Sequence, residues 1–262
     1  WRGALVALLS SSLGFVGCRA DTPALLPPDG QLLIYIDTDA PLPPAPGQSL
    51  GPNEPRPLFD RVRIDIFRPG ESEPCGDCTH EFDIDRTLVG SGRASVGIDT
   101  PPRAPGYNVR VRMFRAAFIE ENQPRPDATV EVTAALPMTN DEGITPVTIF
   151  LPTESVGVPI GSLDAPAQPI LEAPAANRVG SWPGARRVDC AGAPRSQEVC
   201  IPGGAFWWGQ PLLAGSLEQG DALAMRLVVL TPFFLDRTEV TVSEMRALQT
   251  WTSAPDDPMQ YS

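Results

Sequence analysis

A chain of 262 residues with 42% hydrophobic content can bury a core over at least part of its length, and 7% aromatic with 20% charged residues argues against wholesale disorder. Its 31 prolines and 23 glycines, about a fifth of the chain, exclude a helical bundle because both residues disfavour helix interiors. A net charge of -12 repels phosphate backbones and argues against a nucleic-acid partner, and every basic residue is arginine.

Residues 1–18 read as an export signal whose first residues precede Trp1. Arg2 comes before an apolar, small-residue run from Gly3 to Gly17, too short to span a bilayer comfortably. The run ends in Phe15-Val16-Gly17-Cys18, which resembles the lipobox of bacterial lipoproteins. That resemblance implies acylation of Cys18, membrane anchoring through the lipid, and a place in the bacterial cell envelope facing the periplasm or the exterior. The alternative is an ordinary cleaved signal with an incidental Cys. With Cys18 assigned to lipid, Cys75, Cys78, Cys190 and Cys200 form an even set suited to an oxidising compartment. Four cysteines allow three pairings; the local ones, Cys75 with Cys78 and Cys190 with Cys200, are preferred because each pair sits in its own Gly- or Pro-containing segment.

Residues 19–30 form a tether kept extended by its prolines. Residues 31–155 then carry short apolar runs with period-two alternation. These are Leu32, Ile34 and Ile36; Val62, Ile64 and Ile66 against Arg61, Arg63 and Asp65; and Phe82 and Ile84 against Asp83 and Asp85. Val96 and Ile98, the stretch Tyr107 to Met113, Val130 and Val132, and Val147, Ile149 and Leu151 follow the same rule. About seven short strands separated by Pro/Gly turns predict a mainly β protein containing a small antiparallel β-sandwich. Residues 156–187 are rich in Pro and Ala with no apolar period and read as a linker. A second unit, 188–262, begins where the composition changes again.

Several clusters invite a chemical reading. Cys75-Gly76-Asp77-Cys78-Thr79-His80 holds the single His, but Thr79 breaks the spacing that c-type haem needs, and no second Cys pair lies nearby to complete a zinc site with Asp77 or Asp83. Its flanks read as strands, so a structural disulfide is favoured over redox activity. Acidic groups at Asp37 and Asp39, at Asp83 and Asp85, and at Asn140, Asp141 and Glu142 lack the ordered spacing of a calcium loop and read as solvated turns. Arg61, Arg63, Arg110 and Arg112 fall on one outward sheet face, where pairing with acids across strands is expected. No Ser-His-Asp set and no Gly-rich phosphate loop is present.

The last quarter of the chain is the most informative. A strand from Ile201 to Gly209 enters through Pro202-Gly203-Gly204, Leu227 to Leu230 reads as a second, buried strand, and Pro232 to Thr241 runs into a helix. Thr241 and Glu244 form a capping box, Val240 can staple onto Met245, and Met245 and Leu248 fall on one helical face. Ile201, Pro202, Gly203, Gly204, Phe206 and Gly209, followed by Pro232, Phe233, Asp236, Glu239, Val240 and Thr241, resemble in order and spacing the opening of the formylglycine-generating enzyme (sulfatase-modifying factor) family. The resemblance implies the start of an α+β, C-type-lectin-like domain. In complete members, it further implies, a reactive cysteine pair with bound copper near the domain's C-terminal end oxidises a substrate Cys to formylglycine.

No catalytic residue is carried over, because Ser262 falls before that point and neither Cys190 nor Cys200 matches the reactive motif. The 262 residues are therefore expected to be catalytically silent and to need no cofactor or metal. Phe206, Trp207, Phe233 and Phe234 are expected to pack as core, and Asp236 and Glu239 to serve the turn and helix entry. The competing expectation is a cell-surface binding or adhesion protein whose β-sandwich recognises a protein or glycan.

Overall fold

The computed structural model describes residues 30–98, 105–139, 143–209 and 225–247. Cys18, the acidic group at 140–142 and Leu248 lie outside them. The chain is mainly β. Its first part runs β1 (Gln31–Thr38), β2 (Arg61–Phe67), β3 (Thr79–Asp83), a short helix α1 (Arg86–Gly90), β4 (Ser95–Ile98), β5 (Asn108–Phe114), β6 (Ile119–Glu120), β7 (Gln123–Pro124), β8 (Val130–Ala135) and β9 (Ile144–Leu151). The alternating runs emerge as β1, β2, β3, β4, β5, β8 and β9. The helix was not expected; Asp85 starts it by accepting hydrogen bonds from the amides of Thr87 and Leu88 at 2.7 and 2.8 Å.

Two larger sheets result, one in the order β3-β2-β5-β8 and the other β4-β1-β9, with β6 and β7 paired as a separate hairpin. The expectation of purely antiparallel pairing needs correction at one place. β1 and β9 pair in parallel over their whole length, from Gln31 opposite Ile144 to Thr38 opposite Leu151. Parallel neighbours need a long crossover, and the entire four-stranded sheet lies between these two strands in sequence.

Alternation explains the core. Val62, Ile64 and Ile66 of β2, Val109, Val111 and Met113 of β5, and Val130 and Val132 of β8 share one apolar cluster with Leu32, Ile34 and Ile36 of β1 and Val147, Ile149 and Leu151 of β9. Each such burial contributes about 1.5–3 kcal/mol.

The segment read as a linker contains no long strand, but it is fastened along both sheets. Ile160 bridges in parallel to Val132 of β8, with the amide of Thr133 donating to the Ile160 carbonyl at 2.8 Å and the amide of Ile160 donating to the Glu131 carbonyl at 2.9 Å. Ala167 continues along β8 through Thr133 and Ala135, and Ile170 then bridges to Thr148 of β9 by two bonds of 2.7 and 3.1 Å. The strap thus occupies the outer edges of β8 and β9, the unpaired rows that would otherwise recruit foreign strands. Backbone bonding of this kind needs no apolar side-chain period, which is why composition alone read the segment as a spacer.

Candidate functional site

The residues that carry the family resemblance form one bent ribbon. β10 (Glu198–Ile201) pairs antiparallel with β13 (Phe233–Asp236), and β11 (Gly204–Trp208) pairs antiparallel with β12 (Arg226–Leu230). Ile201 lies opposite Phe233 and Gly204 opposite Leu230, so the two ladders follow one another along the same pair of segments. Pro202 and Pro232 interrupt the ladder at the same level, since neither has an N–H to donate. The chains pass so closely there that a Cβ on Gly203 would lie 3.0 Å from the Leu230 carbonyl and 3.1 Å from the Pro232 ring. Two motifs distant in sequence are therefore neighbours in space.

Beyond β13 the capping box is present. Thr241 Oγ1 accepts from the Glu244 amide at 3.3 Å, and a Glu244 carboxylate oxygen accepts from the Thr241 amide at 2.7 Å, opening α2 (Val242–Ala247). The Thr241 amide and, at 2.8 Å, the Thr241 hydroxyl both donate to that carboxylate and hold it below the usual range.

Trp207 fixes the ribbon to the sheets. Its indole N–H donates to the carbonyl of Leu58 at 2.8 Å, and the ring makes edge-to-face contacts with Phe59 and Phe118, centroids 5.9 and 5.4 Å away. Ala205 joins the main core, and Met225, Phe118 and Ala128 form a small satellite cluster under the same indole. The other aromatic expectations need correction: Phe206 and Phe233 are exposed, as are Trp208, Val229, Leu230 and Leu235. Strand β12 exists as expected but is not buried. A two-stranded ribbon can hide one face against the body, and the other face stays open.

The cysteines take the local pairing. Cys75 and Cys78, and Cys190 and Cys200, lie at disulfide distance, with Cα separations of 5.2 and 5.8 Å. Cys75 and Cys78 extend the β2–β3 edge, where the amide of Cys75 donates to Ile66 at 3.0 Å and the amide of Ile66 to Cys78 at 3.2 Å. Cys200 is in β10, one residue before Ile201. Among the described residues no group of three or more His, Cys, Asp or Glu side chains is placed to hold a metal ion.

The acidic groups serve structure. Asp39 accepts from the amide and hydroxyl of Thr153 at 2.8 and 2.6 Å. Asp37 is buried, with Arg178 at 3.4 Å; burial pushes its carboxyl up, against the pull of Arg178 and the Thr38 amide, while Asp39 adds to the rise. Arg61 grips Glu81 and Asp83 at 3.0 and 2.7 Å. Arg63, Arg110 and Arg112 do find an acid, but they share one: Asp65, with no exposed side-chain surface, at 3.3, 3.6 and 2.6 Å. Burial pushes the Asp65 carboxyl up, yet the Thr79 hydroxyl and the Arg112 and Arg63 guanidinium groups outweigh it and hold the group below the usual range.

Two features escaped the sequence reading. Leu58, Phe59, Phe118 and Met225 build the Trp207 seat from three separate segments, and no local signal marks them. Asp65 was legible in principle as an acid in the middle of Arg-Val-Arg-Ile-Asp-Ile-Phe, on the same face as its neighbouring arginines. A cleft of about 520 Å³ lies elsewhere, lined by Pro41, Leu42, Pro55, Asn177 and the Glu54–Arg86 ion pair at 2.8 Å. No protein-family model, curated protein or solved structure matches this chain.

Proposed function

We propose that this is an exported, lipid-anchored protein of the bacterial envelope in which a β-sandwich carries the opening of a formylglycine-generating-enzyme-like domain. The observation that carries the reading is the register of β10 with β13, which sets Ile201 of the first motif opposite Phe233 of the second. Two matches found independently in sequence are thereby parts of one structural unit, as the start of a single domain requires. The sandwich reading rests on two sheets that share one core. Exposed Phe206, Trp208, Phe233 and Leu235 supply an apolar face for the remainder of such a domain. Cys18 would hold the acyl chain. The 262 residues themselves supply no reactive cysteine pair and are catalytically silent, while a complete domain could act as an oxidoreductase using copper.

The test is the reading frame beyond the Ser262 codon. A frame that continues to a Cys-containing motif, and whose product converts Cys to formylglycine in a sulfatase-type peptide by mass spectrometry, supports the reading; a stop codon directly after Ser262 overturns it. For the anchor, mass spectrometry of the mature N-terminus should find acylated Cys18, and an unmodified Cys18 or another cleavage bond removes it. A second reading, a surface protein that binds a protein or glycan, is favoured by the 520 Å³ cleft at Glu54 and Arg86. Glycan-array binding lost in Arg86→Ala would select it.

A further inference from the structure

On the outward face of the β3-β2-β5-β8 sheet, positive charge gathers around Asp65. Arg63 faces Arg112 directly across the β2–β5 ladder, and Arg110 faces Asp65. Three guanidinium groups thus surround one carboxylate. None of the other acids on this face pairs with these three arginines. From β3, Glu81 and Asp83 are both engaged by Arg61. From β8, Glu131 stands opposite Arg112 but makes no ion pair with it. On the hairpin of β6 and β7, Glu120 pairs with Arg125 at 3.7 Å and Glu121 is exposed.

The donors outnumber the acceptors as well. Arg112 uses Nη2 on Asp65 and Nη1 on the Gln123 side chain at 3.0 Å, and its side chain is only 9% exposed, yet its Nε is buried with no partner. Arg110 makes no side-chain hydrogen bond among the described residues: its guanidinium lies 4.8 Å over the Phe67 ring, reaches Asp65 only at 3.6 Å, and leaves Nε buried and unpartnered as well. Buried donors of this kind cost free energy unless an acceptor is supplied, and charged ones cost most. Arg63 and Arg110 keep 15% and 26% of their side chains accessible, and Arg63 reaches the two-residue turn Glu121-Asn122, whose Asn122 carbonyl accepts from it at 3.3 Å. An acceptor arriving from solvent meets these two first.

We propose that this face binds a small oxyanion, a sulfate, phosphate or carboxylate group, at Arg63 and Arg110 beside Asp65. Such a group carries the negative charge the cluster lacks and several acceptor oxygens for planar guanidinium donors.

Thermal unfolding of the full chain, titrated with sodium sulfate and separately with sodium acetate at ionic strength fixed by sodium chloride, provides the test. In the wild type the Tm should rise along a saturating curve with at least one of the two anions. Arg110→Gln should weaken the fitted Kd by about tenfold or more while keeping the shallow linear rise that sulfate gives any protein. Saturation with sulfate selects a tetrahedral oxyanion and saturation with acetate a carboxylate. Linear, parallel rises in both proteins overturn the site. Should Arg110→Gln fail to fold, the side-chain Nε–H resonances of wild-type Arg63, Arg110 and Arg112 settle it, since titration with either anion must shift them and unchanged resonances overturn the proposal.

Discussion

The indole N–H of Trp207 donates to the carbonyl oxygen of Leu58 across 149 residues of chain, at 2.8 Å. Leu58 itself is buried, so that carbonyl has no route to water once the indole is removed. Trp207→Phe keeps the ring contacts with Phe59 and Phe118 and loses the bond, which should cost about 1–3 kcal/mol. Trp207→Ala loses both and should cost more, about 3 kcal/mol or above. Limited proteolysis checks where the loss falls: cleavage should increase within residues 204–208 and 226–236, while a fragment containing β1 to β9 survives.

Gly161 tests the strap. Its φ is +73°, and a Cβ there would collide with the Thr133 carbonyl and sit 2.8 Å from the Ala167 amide, both backbone atoms that cannot give way cheaply. Gly161→Ala should therefore destabilise by more than about 1 kcal/mol and loosen the strap first. Amide hydrogen exchange should speed up at Thr133 and Ala135, which donate to the strap, and stay slow at Val109 and Val111 in the sheet interior.

The contrast between strands and strap shows what a sequence makes legible. Ile64 and Val111 were identifiable as core because a one-residue register slip would turn them to solvent, so selection for burial leaves a period-two trace. Ile160, Ala167 and Ile170 leave none, because their contribution is main-chain donors and acceptors that any residue carries. The capping box at Thr241 and Glu244 was readable for the opposite reason: it is a side-chain device confined to four residues. In the candidate site, the Pro202-Gly203-Gly204 turn was local and visible, whereas the Trp207 seat draws on Leu58, Phe118 and Met225, whose convergence is decided only by tertiary packing.

Asp65 holds three arginines, and its loss should be severe. Asp65→Asn keeps the shape and removes the charge, leaving Arg63, Arg110 and Arg112 with no carboxylate between them; about 3–5 kcal/mol of destabilisation is expected by urea denaturation. The acid side of the stability profile gives a second check. Because the folded protein holds this carboxyl below its unfolded value, its contribution is present above the ordinary Asp range of about 3.9 and is lost as pH falls through the depressed value. The gap between wild type and Asp65→Asn should therefore narrow in strong acid.

Asp37 predicts the reverse. Burial raises its carboxyl above the ordinary value despite Arg178, so folding disfavours its ionised form and subtracts stability once pH exceeds the unfolded value. Asp37→Asn removes that penalty while keeping an acceptor for the Thr38 amide. The variant should show a higher Tm than the wild type at pH 7, and the two curves should converge as pH falls below about 3.9, where the native Asp is protonated in both states. A variant less stable at neutral pH would mean that the ion pair to Arg178 outweighs the cost of burial.

The two cysteine pairs should differ in what they hold. Cys75–Cys78 closes a separation of 3 residues and Cys190–Cys200 one of 10, for which the chain-entropy account gives about 2 and about 3 kcal/mol respectively. Context widens the difference. The Cys75 loop is independently pinned to β2 by the two backbone bonds with Ile66, so Cys75→Ala/Cys78→Ala should leave the β2–β3 ladder in place. The other pair ties residues 188–190 to β10, where the main additional backbone tie is the Gly203 amide donating to Val188 at 2.9 Å. Cys190→Ala/Cys200→Ala should therefore lower the urea midpoint more and expose the motif ribbon to protease, whereas the Cys75–Cys78 variant should not. Equal shifts in the two variants would mean that the Trp207 seat alone fixes the ribbon, and combining Cys190→Ala/Cys200→Ala with Trp207→Phe would then release it.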